Sequence, residues 1–126
     1  MVNPSVRPFA ICFLAAFLAA GIPWWLAPYN RFTFSSPAAI LGCLAFVVIA
    51  AWSAGWTPLG LGLGALATGS AVPAAVMARV IVDVARDATT HNLWPLELVF
   101  MAVPGFALAF AAGLVGRFLH RLLGPG

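Results

Sequence analysis

Residues 58–97 read PLGLGLGALATGSAVPAAVMARVIVDVARDATTHNLWPLE. No charge appears before Arg79. Five of the nine charged residues of the chain then follow by Glu97, and all three acids are among them. A water-soluble fold would have to bury the first part and solvate the second. A bilayer does both at once. About 20 apolar residues cross its hydrocarbon core, and ions are tolerated at its edge when they are paired or used.

The rest of the chain agrees. Of its 126 residues, 63% are hydrophobic and 7% charged, and the mean hydropathy is +1.05. Soluble domains carry about 25% charged residues, so this chain lacks the polar surface that water requires. The length fits one domain, residues 1–126, with only short polar loops. The net charge of +3 comes from six Arg, with no Lys. They are scattered, which leaves no footprint for nucleic acid. Arg-only, Ala- and Gly-rich usage fits a GC-rich bacterial genome, and hence a bacterial inner membrane.

Four apolar spans emerge, at about 9–27, 38–56, 58–86 and 96–119. Backbone polar groups must be satisfied internally in lipid, so each span is expected to be a helix. None shows the two-residue alternation of a membrane barrel. The fold class is therefore all-α, a bundle of four transmembrane helices. A cleaved signal peptide is the competing reading for the first span, but Leu18-Ala19-Ala20 is a poor cleavage signal. An even helix count puts both termini on one side, with Arg7, Arg117 and Arg121. Arg31 and Arg86 fall on the other side, with Arg79 nearer the hydrocarbon. The positive-inside rule then favours cytoplasmic termini. Trp24, Trp25, Tyr29 and Trp94 mark one boundary, and Trp52 and Trp56 the other.

Small residues recur four apart. Gly60 and Gly64 form one pair, followed by Ala65 and Gly69, and Gly105, Ala109 and Gly113 repeat the spacing. Such faces let helix backbones approach closely. They serve either packing within the bundle or a homo-oligomer interface. Pro23, Pro73 and Pro104 fall inside spans and remove backbone donors. Cys12 and Cys43 differ in expected depth by roughly 15 Å, beyond the reach of a disulfide. Both read as small buried apolar side chains.

The polar cluster comprises Arg79, Asp83, Arg86, Asp87, His91 and Glu97. If helix continues through it, the first four share one face as i, i+3 and i, i+4 neighbours. Two Arg then balance two Asp in a self-neutralising ladder that docks the helix. Asp87, Thr89, Thr90 and Asn92 are turn and cap formers. Pro95 suits the first turn of the next helix, as does the carboxylate of Glu97. Arg31 is a candidate partner for Glu97 or Asp87 across the bundle. A sharper alternative is a site. Asp83, Asp87 and His91 are spaced four apart, and Glu97 can fold back over them. These residue types bind divalent metals or relay protons. Arg79 and Arg86 compete for the same oxygens, so no cofactor is expected. His91 itself reads as a loop side chain at the interface. His120, beside Arg117 and Arg121, reads as part of a basic end that meets anionic lipid.

Three function classes fit unequally. A non-catalytic membrane protein that assembles with itself, or as an accessory subunit of a complex, agrees with the low charge and the small-residue faces. A small oligomeric transporter or channel would need a polar path through the Arg79/Asp83 region. Thr68, Ser70 and Ser53 make only one thin stripe toward it. A metal-dependent lipid-modifying enzyme would use Asp83, Arg86 and Asp87, but it lacks a second acidic pair. The chain has no phosphate-cradling Gly loop and no Ser/His/Asp pattern. No motif carries a resemblance to a known family.

Overall fold

Four helices follow one another: α1 (Val6–Leu26), α2 (Pro37–Gly55), α3 (Gly60–Arg86) and α4 (Trp94–Leu123). The computed structural model describes residues 3–27, 33 and 35–124, and among these there is no strand. Each helix is long and apolar enough to cross a membrane. At about 1.5 Å per residue, the 27 residues of α3 extend roughly 40 Å, more than the hydrocarbon needs. Its last turns are the ones that carry Arg79, Asp83 and Arg86.

Local chemistry sets the helix ends. Pro37 opens α2 directly after Ser36, whose hydroxyl oxygen accepts the Ala39 N–H at 3.2 Å. That satisfies one donor of the first turn. The third helix begins at Gly60 rather than at 58. Thr57 Oγ1 accepts the Leu59 N–H at 3.2 Å to make a turn, and Gly60 stands at φ +69°. Glycine adopts that left-handed conformation without a Cβ clash. The fourth helix runs past 119 to Leu123 and so holds Arg117, His120 and Arg121 on helical turns.

The first helix packs on α2 and α3, and α4 packs on the same two. The second and third helices also touch across the centre. Among the described residues the α1 and α4 backbones stay more than 8 Å apart at every Cα pair. The core is built from small side chains: Ala16, Ala50, Ala71, Ala109 and Ala112 surround Phe46 and Val72. Lipid gives helices no hydrophobic reason to associate, so close van der Waals fit has to hold them.

That fit is reciprocal between α3 and α4. The Phe106 ring fills the space above Gly69, and Val72 fills the space above Gly105. A Cβ on Gly105 would stand 2.8 Å from Val72 Cβ. Gly64 faces Ser53 and Ala54 of α2, and Gly113 faces Leu61 and Ala54. Ala109 is fully buried. These small-residue faces are thus occupied inside the bundle. Gly60 corrects the expected Gly60/Gly64 packing pair. A Cβ there would meet only Arg117 Nη1, at 3.7 Å, so its role is the turn.

The tightest contact involves two glycines outside the expected set. A Cβ on Gly116 would collide with the Ala51 carbonyl, and one on Gly55 would stand 2.6 Å from the Gly116 carbonyl oxygen. Here the α2 and α4 backbones touch directly. The prolines lie inside α1, α3 and α4 as their positions predict. Both cysteines are free; Cys12 is buried, whereas Cys43 is exposed, against the expectation of burial for both. The hydroxyls within the helices are used locally. Ser53 donates to the Ala50 carbonyl and Thr68 to the Gly64 carbonyl, both at 2.8 Å. Ser70 donates to Ala67 at 3.2 Å.

Gly116→Leu is expected to destabilise the bundle by about 1–3 kcal/mol or more, because backbone rather than a flexible side chain lies in the way. Gly62→Ala, with open space around it, is expected to be neutral or to stabilise by up to about 1 kcal/mol. Unfolding of detergent-purified protein by titrated sodium dodecyl sulfate measures both. Equal behaviour of the two variants would contradict the backbone contact.

Candidate functional site

The first helix ends without a cation of its own; its last turn holds no basic residue. The final carbonyls of a helix have no intrahelical donor and carry the negative end of its dipole. The Ala27 N–H reaches the Trp24 carbonyl at 3.2 Å, and Arg79 of α3 adds the cation and further donors. Its Nη1 donates to the Trp24 carbonyl at 2.6 Å and its Nη2 to the Ala27 carbonyl at 2.9 Å. Its Nε donates to Asp83 Oδ2 at 2.6 Å, one turn further along α3. A planar fork with donors on three sides can do this, whereas an ammonium could not keep the geometry. Next to it, Trp25 Nε1 donates to the Ala75 carbonyl at 3.1 Å. Trp25 therefore ties α1 to α3, beyond the boundary role expected of it.

The network continues from Asp83. His91 Nε2 lies 2.8 Å from the same Oδ2, and His91 Nδ1 lies 2.7 Å from Glu97 Oε2. His91 lies in the loop between α3 and α4, as expected, but is buried there, 3% exposed. The connection from α3 to α4 places it. The Asp87 carbonyl accepts the Thr90 N–H, and the His91 carbonyl accepts the Trp94 N–H. His91 itself adopts φ 51°. A residue other than glycine in that region is uncommon and costs roughly 1–2 kcal/mol. The two ring contacts offset this strain, which aims the imidazole back under the loop. Glu97 reaches it from the first turn of α4.

Each ring nitrogen of His91 can donate or accept, so the imidazole bridges the Asp83 and Glu97 carboxyl groups. The row Glu97–His91–Asp83 can hold a proton and pass it between two carboxylates. Glu97 is the more open end, with 29% side-chain exposure against 13% for Asp83. Beside the row, Trp25, Ala78, Arg79, Val82, Asp83 and Arg86 line a hollow of about 390 Å³.

Of the six cluster residues the structure joins four: Arg79, Asp83, His91 and Glu97. Arg86 and Asp87 are exposed, and the ion pairs among the described residues include neither. The expected ladder stops at its first rung because Asp83 is engaged by Arg79 and His91 and α3 ends before Asp87. Asp87 is the C-cap, with φ −150° and ψ 105°, which turns its side chain off the helical face. It accepts from the Thr89 hydroxyl at 2.7 Å and the Thr89 N–H at 3.0 Å. Asp83, Asp87 and His91 therefore do not converge as a ligand set. Among the described residues no group of three His, Cys, Asp or Glu is arranged to hold a metal. Arg31 and Tyr29 lie outside the described residues. The carbonyl acceptors on α1 and the burial of His91 were not anticipated. The signal for the first was a helix end with no cation, ahead of an arginine too deep to reach water.

Comparison with protein-family models, with characterised proteins and with solved structures finds no match for this chain.

Asp83→Asn removes the counter-ion of Arg79 and one partner of His91. It is expected to cost on the order of 3 kcal/mol, the scale for breaking one side of a buried ion pair. Arg86→Gln, at an exposed position, should stay within about 0.5 kcal/mol. Detergent unfolding of both variants checks the contrast, and equal costs would contradict the network.

The Thr89 hydroxyl, followed by the Thr89 backbone N–H, holds the Asp87 carboxyl below its ordinary value. A lowered folded value contributes stability that is present above the ordinary aspartate range. It is lost as pH falls through the folded value. Carboxyl chemical shifts by NMR should place the Asp87 midpoint below that of a free aspartate. Thr89→Val should move it part of the way back, since the backbone donor remains. An unmoved midpoint would remove the hydroxyl as the cause.

Proposed function

We propose that this chain is a small non-catalytic subunit of a membrane assembly, built from itself or from larger partners. One observation carries the reading: the charged groups that would serve a substrate are already engaged with one another. Arg79, Asp83, His91 and Glu97 form a row closed onto α1. Among the described residues no buried side-chain polar atom lacks a partner. The hydroxyls of Ser53 and Thr68 bond to their own helices. A transporter or channel working through Arg79 and Asp83 is the competing reading. It would have to open this row during each cycle. A metal-dependent lipid-modifying enzyme would need Asp87 beside Asp83, and Asp87 faces away.

The outer faces are broad and apolar. Phe100, Phe110 and Phe118 of α4 are all exposed. They offer other membrane helices a surface with many large side chains and no polar group to desolvate. The bacterial inner membrane and cytoplasmic termini belong to this proposal, supported by the Arg-only composition and by Arg7, Arg117 and Arg121 at one end.

Native mass spectrometry of the protein released from nanodiscs, paired with proton and cation flux into proteoliposomes, tests the reading. A defined homo-oligomer, or a stoichiometric partner after gentle extraction, with no flux above empty vesicles, is the expected outcome. Flux that Asp83→Asn abolishes while the oligomer stays intact would overturn it in favour of transport.

A further inference from the structure

The end of the bundle opposite the ion row has a different electrostatic character. All three acids, Asp83, Asp87 and Glu97, share one stretch with Arg79 and Arg86, and no acid follows Glu97 on the way to Arg117 and Arg121. Arg117 and Arg121, with His120 between them, lie on the last turns of α4. They line a cavity of about 280 Å³ against Thr57 and Gly60 of the α2–α3 connection. Among the described residues neither arginine pairs with a carboxylate.

The third helix starts in this same cavity. Its N-cap, Leu59, provides no side-chain hydrogen bond, and first-turn N–H groups lack intrahelical acceptors. Arg117 Nη1 stands 3.7 Å from the place a Gly60 Cβ would take. A guanidinium is thus held at the positive end of a helix dipole. Arg117 and Arg121 are exposed, and an anion between guanidinium and helix start would be favoured by both; guanidinium forks match phosphate oxygens.

Depth selects the source of that phosphate. Trp56 caps α2 and meets His120 edge to face, with ring centroids 5.4 Å apart. Indole rings settle at headgroup level. On the same α2–α4 seam, Val48, Trp52, Trp56 and Leu119 line an apolar hollow. A basic cavity at phosphate depth beside an apolar hollow is the shape of a phospholipid site, and such basic pockets between helices recognise anionic headgroups.

We propose that this end of the α2–α4 seam binds the phosphate of an anionic phospholipid. Arg117 and Arg121 hold its oxygens, and one acyl chain lies along Trp52 and Trp56. The site does not depend on the subunit reading.

The test is lipid retention by native mass spectrometry from nanodiscs of mixed phosphatidylcholine and phosphatidylglycerol. The wild-type protein is expected to retain phosphatidylglycerol preferentially. The Arg117→Gln/Arg121→Gln variant should lose about tenfold or more of that preference, at about 1 kcal/mol per arginine. Arg86→Gln, which removes one arginine charge at the other end, should keep it. If the double variant fails to fold by circular dichroism, Arg121→Gln alone, at an exposed position, carries the same comparison. Three results would each overturn the proposal: no preference in the wild-type protein, an equal loss in Arg86→Gln, or displacement of the lipid by millimolar inorganic phosphate. The last would assign the cavity to a free anion.

Discussion

The Arg79 guanidinium satisfies two demands that would each destabilise the bundle if left alone. An arginine at the edge of the hydrocarbon needs a counter-charge and acceptors. The carboxyl end of α1 needs donors. Arg79 meets the first through Asp83 and the second through the Trp24 and Ala27 carbonyls. The rest of that face follows from this choice. With Asp83 Oδ2 shared, His91 is drawn under the loop at a strained φ, and Glu97 closes the row from α4. The consequence reaches beyond the pairwise contacts. Among the described residues the α1 and α4 backbones do not come within 8 Å at any Cα pair, yet the row Arg79–Asp83–His91–Glu97 connects them. Ions here do what packing does elsewhere in the bundle.

The two ends of the molecule divide the charge between them. All three acids lie in the stretch from Asp83 to Glu97, where they can neutralise neighbouring cations. None is left for Arg117 and Arg121. One end is therefore electrostatically closed and the other open. A closed end adds rigidity without inviting a ligand, whereas an open cationic end at headgroup depth does invite one.

The helices were legible because hydrophobic length in a membrane is an almost one-dimensional signal. Spans at 58–86 and 96–119 became α3 (Gly60–Arg86) and α4 (Trp94–Leu123), shifted only by a Thr57 turn and a helical extension. The Arg79–Asp83 contact was legible for the same reason, since i, i+4 geometry is local. Asp87 was legible as a turn and cap former; the ladder reading alone misplaced it, because a cap residue leaving helical dihedrals redirects its whole side chain. His91 was misjudged because its burial depends on where α4 starts and where Glu97 then points. Gly55 and Gly116 escaped notice because they lie on different helices. Their pairing is a tertiary fact with no spacing rule to announce it.

The two ends also fix helix register by different physics. Purely apolar helices in lipid have shallow preferences for sliding and rotation, since one apolar face resembles another. At one end the ions set the register. A slip of α1 by one turn, about 5.4 Å, would carry the Trp24 and Ala27 carbonyls out of reach and strand the Nη atoms of Arg79. At the other end steric exclusion sets it. Gly55 and Gly116 allow the α2 and α4 backbones to touch, and a slip of one residue would place a Cβ where none fits. Each mechanism alone leaves the far end of a long helix free to splay. Together they constrain both ends of the bundle, α1 against α3 through charge and α2 against α4 through contact. The alanine-rich middle, which has little shape of its own, is held in register between them.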